Sequence, residues 1–256
     1  MAGRKLLFLV LRRIMPIIAM IVIIKVYLPL LTYRREGKYV VAMAGRSVMD
    51  MWFRYWRVPR ILNRVSVYKR WPIPYRRYQC EGLFFEYLRV PGPQKNVGKR
   101  AHEYGQEMLQ SLTEQVTARK YDALLFKFCF ADFRDGFLRS ELETDERLAN
   151  MTSLAKKVHE LAKQRGMKLL LCNALPSLNP TSFAQELRYR FNKWVDDYEE
   201  ENEDVVKMDL FGVLADGTGH LKKEYSIDFE DCDSHPNARA FRLLEMQLLQ
   251  KVNRLK

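Results

Sequence analysis

The chain has 256 residues and a mass of 30.4 kDa. With 48% apolar and 29% charged residues it is not a disordered tail, a collagen-like repeat or a polytopic membrane protein. Its formal net charge is +12, but residues 1–78 hold 17 Lys and Arg against only Glu36 and Asp50, or +15, which leaves residues 79–256 at −3. A nucleic-acid-binding domain spreads phosphate-neutralising residues over its folded surface, so this asymmetry argues against nucleic acid as a partner and for one globular domain with a basic appendage.

The most apolar stretch comes first. Residues 14–31 form an eighteen-residue run interrupted by Lys25, Pro16 and Pro29. A helix rising 1.5 Å per residue needs about 20 residues to cross a 30 Å hydrocarbon core, and residues 6–10 extend the run if Arg12 and Arg13 snorkel to the headgroups. No small-residue cleavage site follows, which predicts a retained single-pass transmembrane anchor over 1–36, with an interfacial or buried helix as the other reading. Arg4, Lys5, Arg12 and Arg13 precede the run and Arg34, Arg35, Lys38 and Arg46 follow it. Four cations on each flank leave the side of the membrane open under the positive-inside rule.

Residues 37–256 alternate short β-rich runs with longer helical ones, the pattern of a parallel sheet covered by helices on both faces. Strands are predicted at 38–44, 83–90, 123–130, 168–172 and 204–210, and helices at 97–119, 142–165, 182–198 and 238–252. The second helix places Leu148, Met151, Leu154, Val158 and Leu161 at three- and four-residue intervals and ends at Gly166, where a left-handed cap is expected. Cys80, Cys129, Cys172 and Cys232 have no short paired spacing, so neither a zinc knuckle nor a disulfide framework is indicated; Cys129 and Cys172, in apolar runs, read as buried thiols.

In such sheets, sites form where loops leave the carboxyl ends of the strands. The first strand ends at Ala44-Gly45-Arg46-Ser47-Val48-Met49, with a helix predicted from Ser47. Ser47 is either a helix N-cap or a placed nucleophile. The last helix follows Asp228-Phe-Glu-Asp231-Cys-Asp233-Ser-His235-Pro-Asn237. An imidazole with nearby carboxylates in a loop after the fifth strand, 188 residues beyond the serine, is what a base and its orienting group require; the alternative is a solvated acidic loop. His102 and His159, in helical runs, and His220, in a Gly-rich turn, read as surface residues.

Together these blocks resemble the SGNH/GDSL hydrolase superfamily, over about residues 38–256. Gly45-Arg46-Ser47 stands where the family has Gly-Asp-Ser, Asp231-Cys-Asp233-Ser-His235-Pro-Asn237 forms the last block, and Lys127-Phe-Cys129-Phe-Ala-Asp132 is similar to the third-strand end of a divergent branch. The resemblance implies a three-layer flavodoxin-like α/β sandwich with a five-stranded parallel sheet, Ser47 as nucleophile and His235 as base. The family's Asp lies three residues before the His, a place held here by Cys232, so Asp233 is favoured as the third member with Asp231 next.

The family builds its oxyanion hole from the Ser amide, a Gly amide after the second strand and an Asn side chain after the third. Here the Ser47 amide is present, Gly92 is a weakly matched second donor, and the Asn is missing. Asn173, at the end of the fourth strand, either substitutes or forms a turn. Lys127, in an otherwise apolar strand, either points into the site, donating to the oxyanion or lowering the serine pKa, or pairs with Asp132 or Asp135. No Gly-x-Ser-x-Gly, Walker Gly-Lys-Ser, Gly-x-Gly-x-x-Gly or His-Glu-x-x-His occurs, which leaves α/β-hydrolase, nucleotide and zinc-protease readings without support.

Residues 54–78 contain eight Lys and Arg, interleaved with Trp and Tyr, and no acid. That composition suits an anionic membrane surface, an acidic glycan or single-stranded nucleic acid; beside a candidate anchor, the membrane is the most economical partner. The sequence therefore predicts a membrane-anchored ester hydrolase acting on an acylated glycan or lipid, needing no metal or organic cofactor. Two alternatives share the fold: an O-acyltransferase with the same site, and an inactive binding protein at the membrane.

Overall fold

The structure is a computed structural model and describes residues 35–57, 77–91, 101–133, 138–230 and 233–256. The apolar runs form β1 (Tyr39–Gly45), β2 (Arg77–Cys80), β3 (Leu83–Arg89), β4 (Ala123–Phe126), β5 (Lys168–Cys172) and β6 (Val205–Met208), in one sheet ordered β2-β3-β1-β4-β5-β6. All neighbours are parallel except β2, which runs antiparallel to β3. The helices are α1 (Ser47–Arg57), α2 (Ala101–Thr117), the short α3 (Phe130–Phe133), α4 (Glu141–Gln164), α5 (Ser182–Glu201), the short α6 (Leu210–Leu214) and α7 (Ala238–Leu255). A two-stranded ribbon of β7 (Ser226–Asp228) and β8 (Asp233–Pro236) precedes α7.

The strands are nearly uniform in apolarity because both sheet faces are covered. Along β1, Val40, Ala42 and Ala44 join the layer of α2, α4 and α5, while Val41 and Met43 join that of α1 and α7. Helix α4 buries Met151, Leu154, Val158 and Leu161. Its first turn is capped by Ser140, whose hydroxyl accepts from Glu143 N at 3.2 Å, and beyond its end Gly166 adopts a φ of 66°, as the sequence predicts.

Several elements differ from the expectation. The sheet has a sixth, antiparallel strand, β2, at the end of the segment read as membrane-proximal. Its hairpin to β3 turns through Glu81 and Gly82, at φ of 42° and 77°. The strand predicted at 123–130 stops at Phe126, and Phe130 opens α3. His159 is not a surface residue: it is 1% exposed, with Nδ1 2.7 Å from Tyr198 Oη and Nε2 3.0 Å from Asp204 Oδ2. His220 is half-buried, its Nδ1 2.7 Å from Thr218 Oγ1.

The predicted anchor at 14–31 lies outside the described residues; among the described residues, no helix is long and apolar enough to cross a membrane. Of the basic segment, only 54–57 and 77–78 are described. These ends pack into the domain: Trp56 stacks on Tyr78 with ring centroids 4.3 Å apart, and Arg54 Nε donates to Asp50 Oδ2 at 2.9 Å.

The β2–β3 turn generates a prediction. Two consecutive residues at positive φ define the hairpin turn that favours Asn-Gly, and a glutamate in that conformation is strained. Glu81→Asn is expected to raise stability by about 0.5–1 kcal/mol, read as a higher urea midpoint at unchanged slope.

Candidate active site

The chain leaves β1 to build β3 on one side and then β4 on the other, so a crevice opens at the carboxyl ends of β1 and β4. Ser47, the first residue of α1, stands at its edge and is exposed. The turn that puts it there depends on Gly45, where a Cβ would lie 2.5 Å from Met49 Cγ, itself buried. Tyr87 Oη donates towards the carbonyls of Gly45 and Arg46 at 3.4 and 3.3 Å. Arg46 O accepts from Asp50 N at 3.0 Å, so the helix begins on Arg46 and the Ser47 side chain points elsewhere.

That side chain meets His235. Ser47 Oγ is 3.0 Å from His235 Nε2, and His235 Nδ1 is 2.6 Å from Asp233 Oδ1. The same carboxylate oxygen accepts the His235 backbone N–H at 2.9 Å, which is how a carboxylate only two residues away fixes the ring. The strand carrying both residues is tied down on each side. Ser226 Oγ donates to Asp233 O at 2.7 Å, Leu178 N donates to Ser234 Oγ at 3.1 Å, and Asn237 caps α7 while its Nδ2 donates to Glu224 O and Ser226 O. The Phe130 ring meets the His235 ring edge-on, with centroids 5.4 Å apart.

This arrangement sets the protons. A carboxylate at Asp233 accepts from Nδ1–H, which leaves Nε2 without a proton and able to accept from the serine hydroxyl. An attack of Oγ on a carbonyl would pass its proton to Nε2, where Asp233 would stabilise the imidazolium. The first amides of α1 have no carbonyl partner within the helix and lie at its positive end, where negative charge is favoured.

The other expected residues fall out differently. Asp231 and Gly92 lie outside the described residues. Asn173 serves a turn: its Oδ1 accepts from Leu210 N at 2.7 Å and Phe211 N at 3.0 Å, and its Nδ2 donates to Asp209 Oδ1 at 2.7 Å. Lys127 is buried, donates from Nζ to Phe128 O at 2.5 Å, and lies 5.7 Å from the centroid of the Phe130 ring. Asp132, one of its expected partners, is instead held by Arg46 and by Arg147. Burial pushes the Lys127 ammonium below the ordinary lysine value.

Three residues at this edge that the sequence names for other reasons, Arg46 in the Gly-Arg-Ser block, Cys129 as a buried thiol and Asp132 as a partner of Lys127, meet one another here. Asp132 is 1% exposed. Its carboxylate accepts from Arg46, and its carbonyl accepts from Arg147 Nε at 2.6 Å. Cys129 N donates to Asp132 Oδ2 at 2.6 Å, and Cys129 Sγ lies 3.5 Å from Ser47 Oγ. The one signal available was their place, beside a nucleophile candidate and at the end of an adjacent strand. Among the described residues, no group of three or more His, Cys, Asp or Glu is arranged to hold a metal ion.

No family model matches the chain, and no curated protein matches it in sequence. Solved structures do match in fold. A GDSL-like lipase from Bacteroides thetaiotaomicron aligns at a TM-score of 0.57 and 15% identity, over 88% of this chain and 92% of that one. The psychrotrophic esterase EstA from Pseudoalteromonas sp., in a structure inhibited by monoethylphosphonate, aligns at 0.51 and 13% identity, over 85% and 98%. A carbohydrate esterase of family 3 from Talaromyces cellulolyticus aligns at 0.51 and 12% identity, over 85% and 97%. The fold is that of the SGNH/GDSL hydrolases, as the sequence resemblance implied.

Lys127 makes stability pH-dependent in a definite sense. Its folded-state value lies below 10.5, so the unfolded chain binds this proton more tightly, and the burial penalty is relieved as pH rises towards the unfolded value. The stability of wild type relative to Lys127→Met is expected to improve as pH rises towards the ordinary lysine value of 10.5, measured by paired urea denaturation curves.

Proposed function

We propose that the protein is a serine hydrolase of SGNH type that cleaves an ester through an acyl-enzyme intermediate. The observation that carries this reading is the relay from Ser47 Oγ to His235 Nε2 at 3.0 Å and from His235 Nδ1 to Asp233 at 2.6 Å. Ser47 attacks the acyl carbonyl while His235 takes its proton and returns it to the leaving alcohol. A water then attacks the acyl-enzyme, with His235 again as base. The amide of Ser47 at the start of α1 is the oxyanion donor that the geometry supports best.

For the substrate we infer an acylated glycan or lipid. The fold is shared with a lipase and with a carbohydrate esterase, and the basic, aromatic segment 54–78 suits an anionic surface. A sugar hydroxyl taking the place of water would make the same site an O-acyltransferase. Folded wild-type protein is expected to be labelled at Ser47 by a fluorophosphonate. Ser47→Ala is expected to abolish labelling, and Asp233→Asn to slow it by about 10³–10⁴-fold. Folded protein that takes no label would overturn the reading.

Residues 14–31 are proposed as a membrane anchor on their composition alone. The full chain is expected to sediment with lipid vesicles through an alkaline carbonate wash, and a chain of residues 37–256 to be released. Release of the full chain by that wash would refute a spanning anchor.

A further inference from the structure

The loop after β4 carries a thiol to the nucleophile. Cys129 Sγ lies 3.5 Å from Ser47 Oγ, and the residue is 9% exposed. Its placement is specified by the surrounding bonds. Cys129 N–H donates to Asp132 Oδ2 at 2.6 Å and Asp132 N–H donates to Cys129 O at 2.9 Å, so the side chain and the backbone of one residue both close on Cys129. The same Asp132 carboxylate holds Arg46, the residue directly before Ser47. One buried acid therefore fixes both the residue that leads into the nucleophile and the residue that bears the thiol.

Counting hydrogens gives the contact a direction. The Ser47 proton is committed to His235 Nε2, because Nδ1–H is committed to Asp233. Towards Cys129, the serine oxygen then has only lone pairs to offer, so the thiol is the donor and Oγ the acceptor. When Oγ bonds to an acyl carbon it surrenders its proton to Nε2, and the negative charge develops on the carbonyl oxygen one bond further away. An S–H already directed at Oγ needs only a small rotation about its side-chain torsion to follow that charge.

We propose that Cys129 is a further catalytic residue, donating its S–H to the oxyanion formed when Ser47 attacks. The proposal rests on the serine-hydrolase reading and extends it: the donor after β4 is a thiol, a weaker one than an amide or hydroxyl. No covalent bond to sulfur is involved, and the proton remains on Cys129 throughout. A side chain of greater donor strength at this position is then expected to speed the reaction, which a packing role does not predict.

The test compares wild type with Cys129→Ala, Cys129→Val, Cys129→Ser and Cys129→Asn in the full chain, each checked for folding by circular dichroism. The readouts are the rate of fluorophosphonate labelling at Ser47 and the kcat and KM for p-nitrophenyl acetate. Ala and Val are expected to slow labelling by about tenfold, a fraction of what a full amide donor is worth, and to lower kcat with KM unchanged. Ser, nearly the size of Cys, is expected to match or exceed wild type, and Asn to exceed it where it is accommodated. Val at the wild-type rate, or rates that follow side-chain size with no regard to donor strength, would overturn the role of Cys129 while Ser47 is still labelled. Absence of label on wild-type Ser47 would instead remove the serine-hydrolase reading itself.

Discussion

A carboxylate with almost no exposed surface sits where the segments after β1 and β4 meet, and it ties the turn that leads into Ser47 to the loop that bears Cys129. Removing an ionised carboxyl from water carries a penalty of several kcal/mol after relaxation, recovered only with close partners. Asp132 meets that demand with Arg46, Arg147 and the Cys129 amide. Those partners belong to the turn before α1, to α4 and to the loop after β4. The pairing also accounts for an arginine immediately before the serine, where the resembled family has an aspartate. A positive residue in that turn is matched by the acid that the loop opposite supplies.

Around this ion cluster the hydrophobic layers have a positioning role. The strands that deliver Ser47 and Cys129 are neighbours, paired from Val41 with Ala123 to Ala44 with Phe126. Burial on both faces fixes their register, because a one-residue slip would exchange the residues packed against α4 and α5 with those packed against α1 and α7. His235 arrives on a separate ribbon, and its alignment is secured by local bonds through Ser226, Ser234 and Asn237. Ser47 is thus placed by the core and His235 by a hydrogen-bonded ribbon.

The parallel strands were legible in the sequence because burial on both faces leaves continuous apolar runs, and the long amphipathic helices because their spacing is regular. Ser47, His235 and Asp233 were legible as strand-end residues of suitable chemistry. What escaped lay in contacts between distant segments or in local bonding that overrides pattern. Lys127-Phe-Cys-Phe continues the apolar run of β4, yet the Cys129–Asp132 pair starts a helical turn there. Strand β2 is four residues of mixed polarity at the end of a basic segment, with Glu81-Gly82 as its one turn signal. The Arg46–Asp132 pair joins positions 86 residues apart, and no periodicity reports such a contact. His159 reads as a polar residue on a helix surface, but it is buried, with Tyr198 against Nδ1 and the Asp204 carboxylate beside Nε2.

The stack of Trp56 on Tyr78, with Phe85 packed beside Trp56, has a consequence for variation. The stack joins α1 to β2 and β3, so loss of an aromatic ring at Trp56, Tyr78 or Phe85 loosens the helix against this edge of the sheet. Trp56 lies on the helix that begins at Ser47, so substitutions in the stack reach the scaffold of that serine as well as the sheet edge.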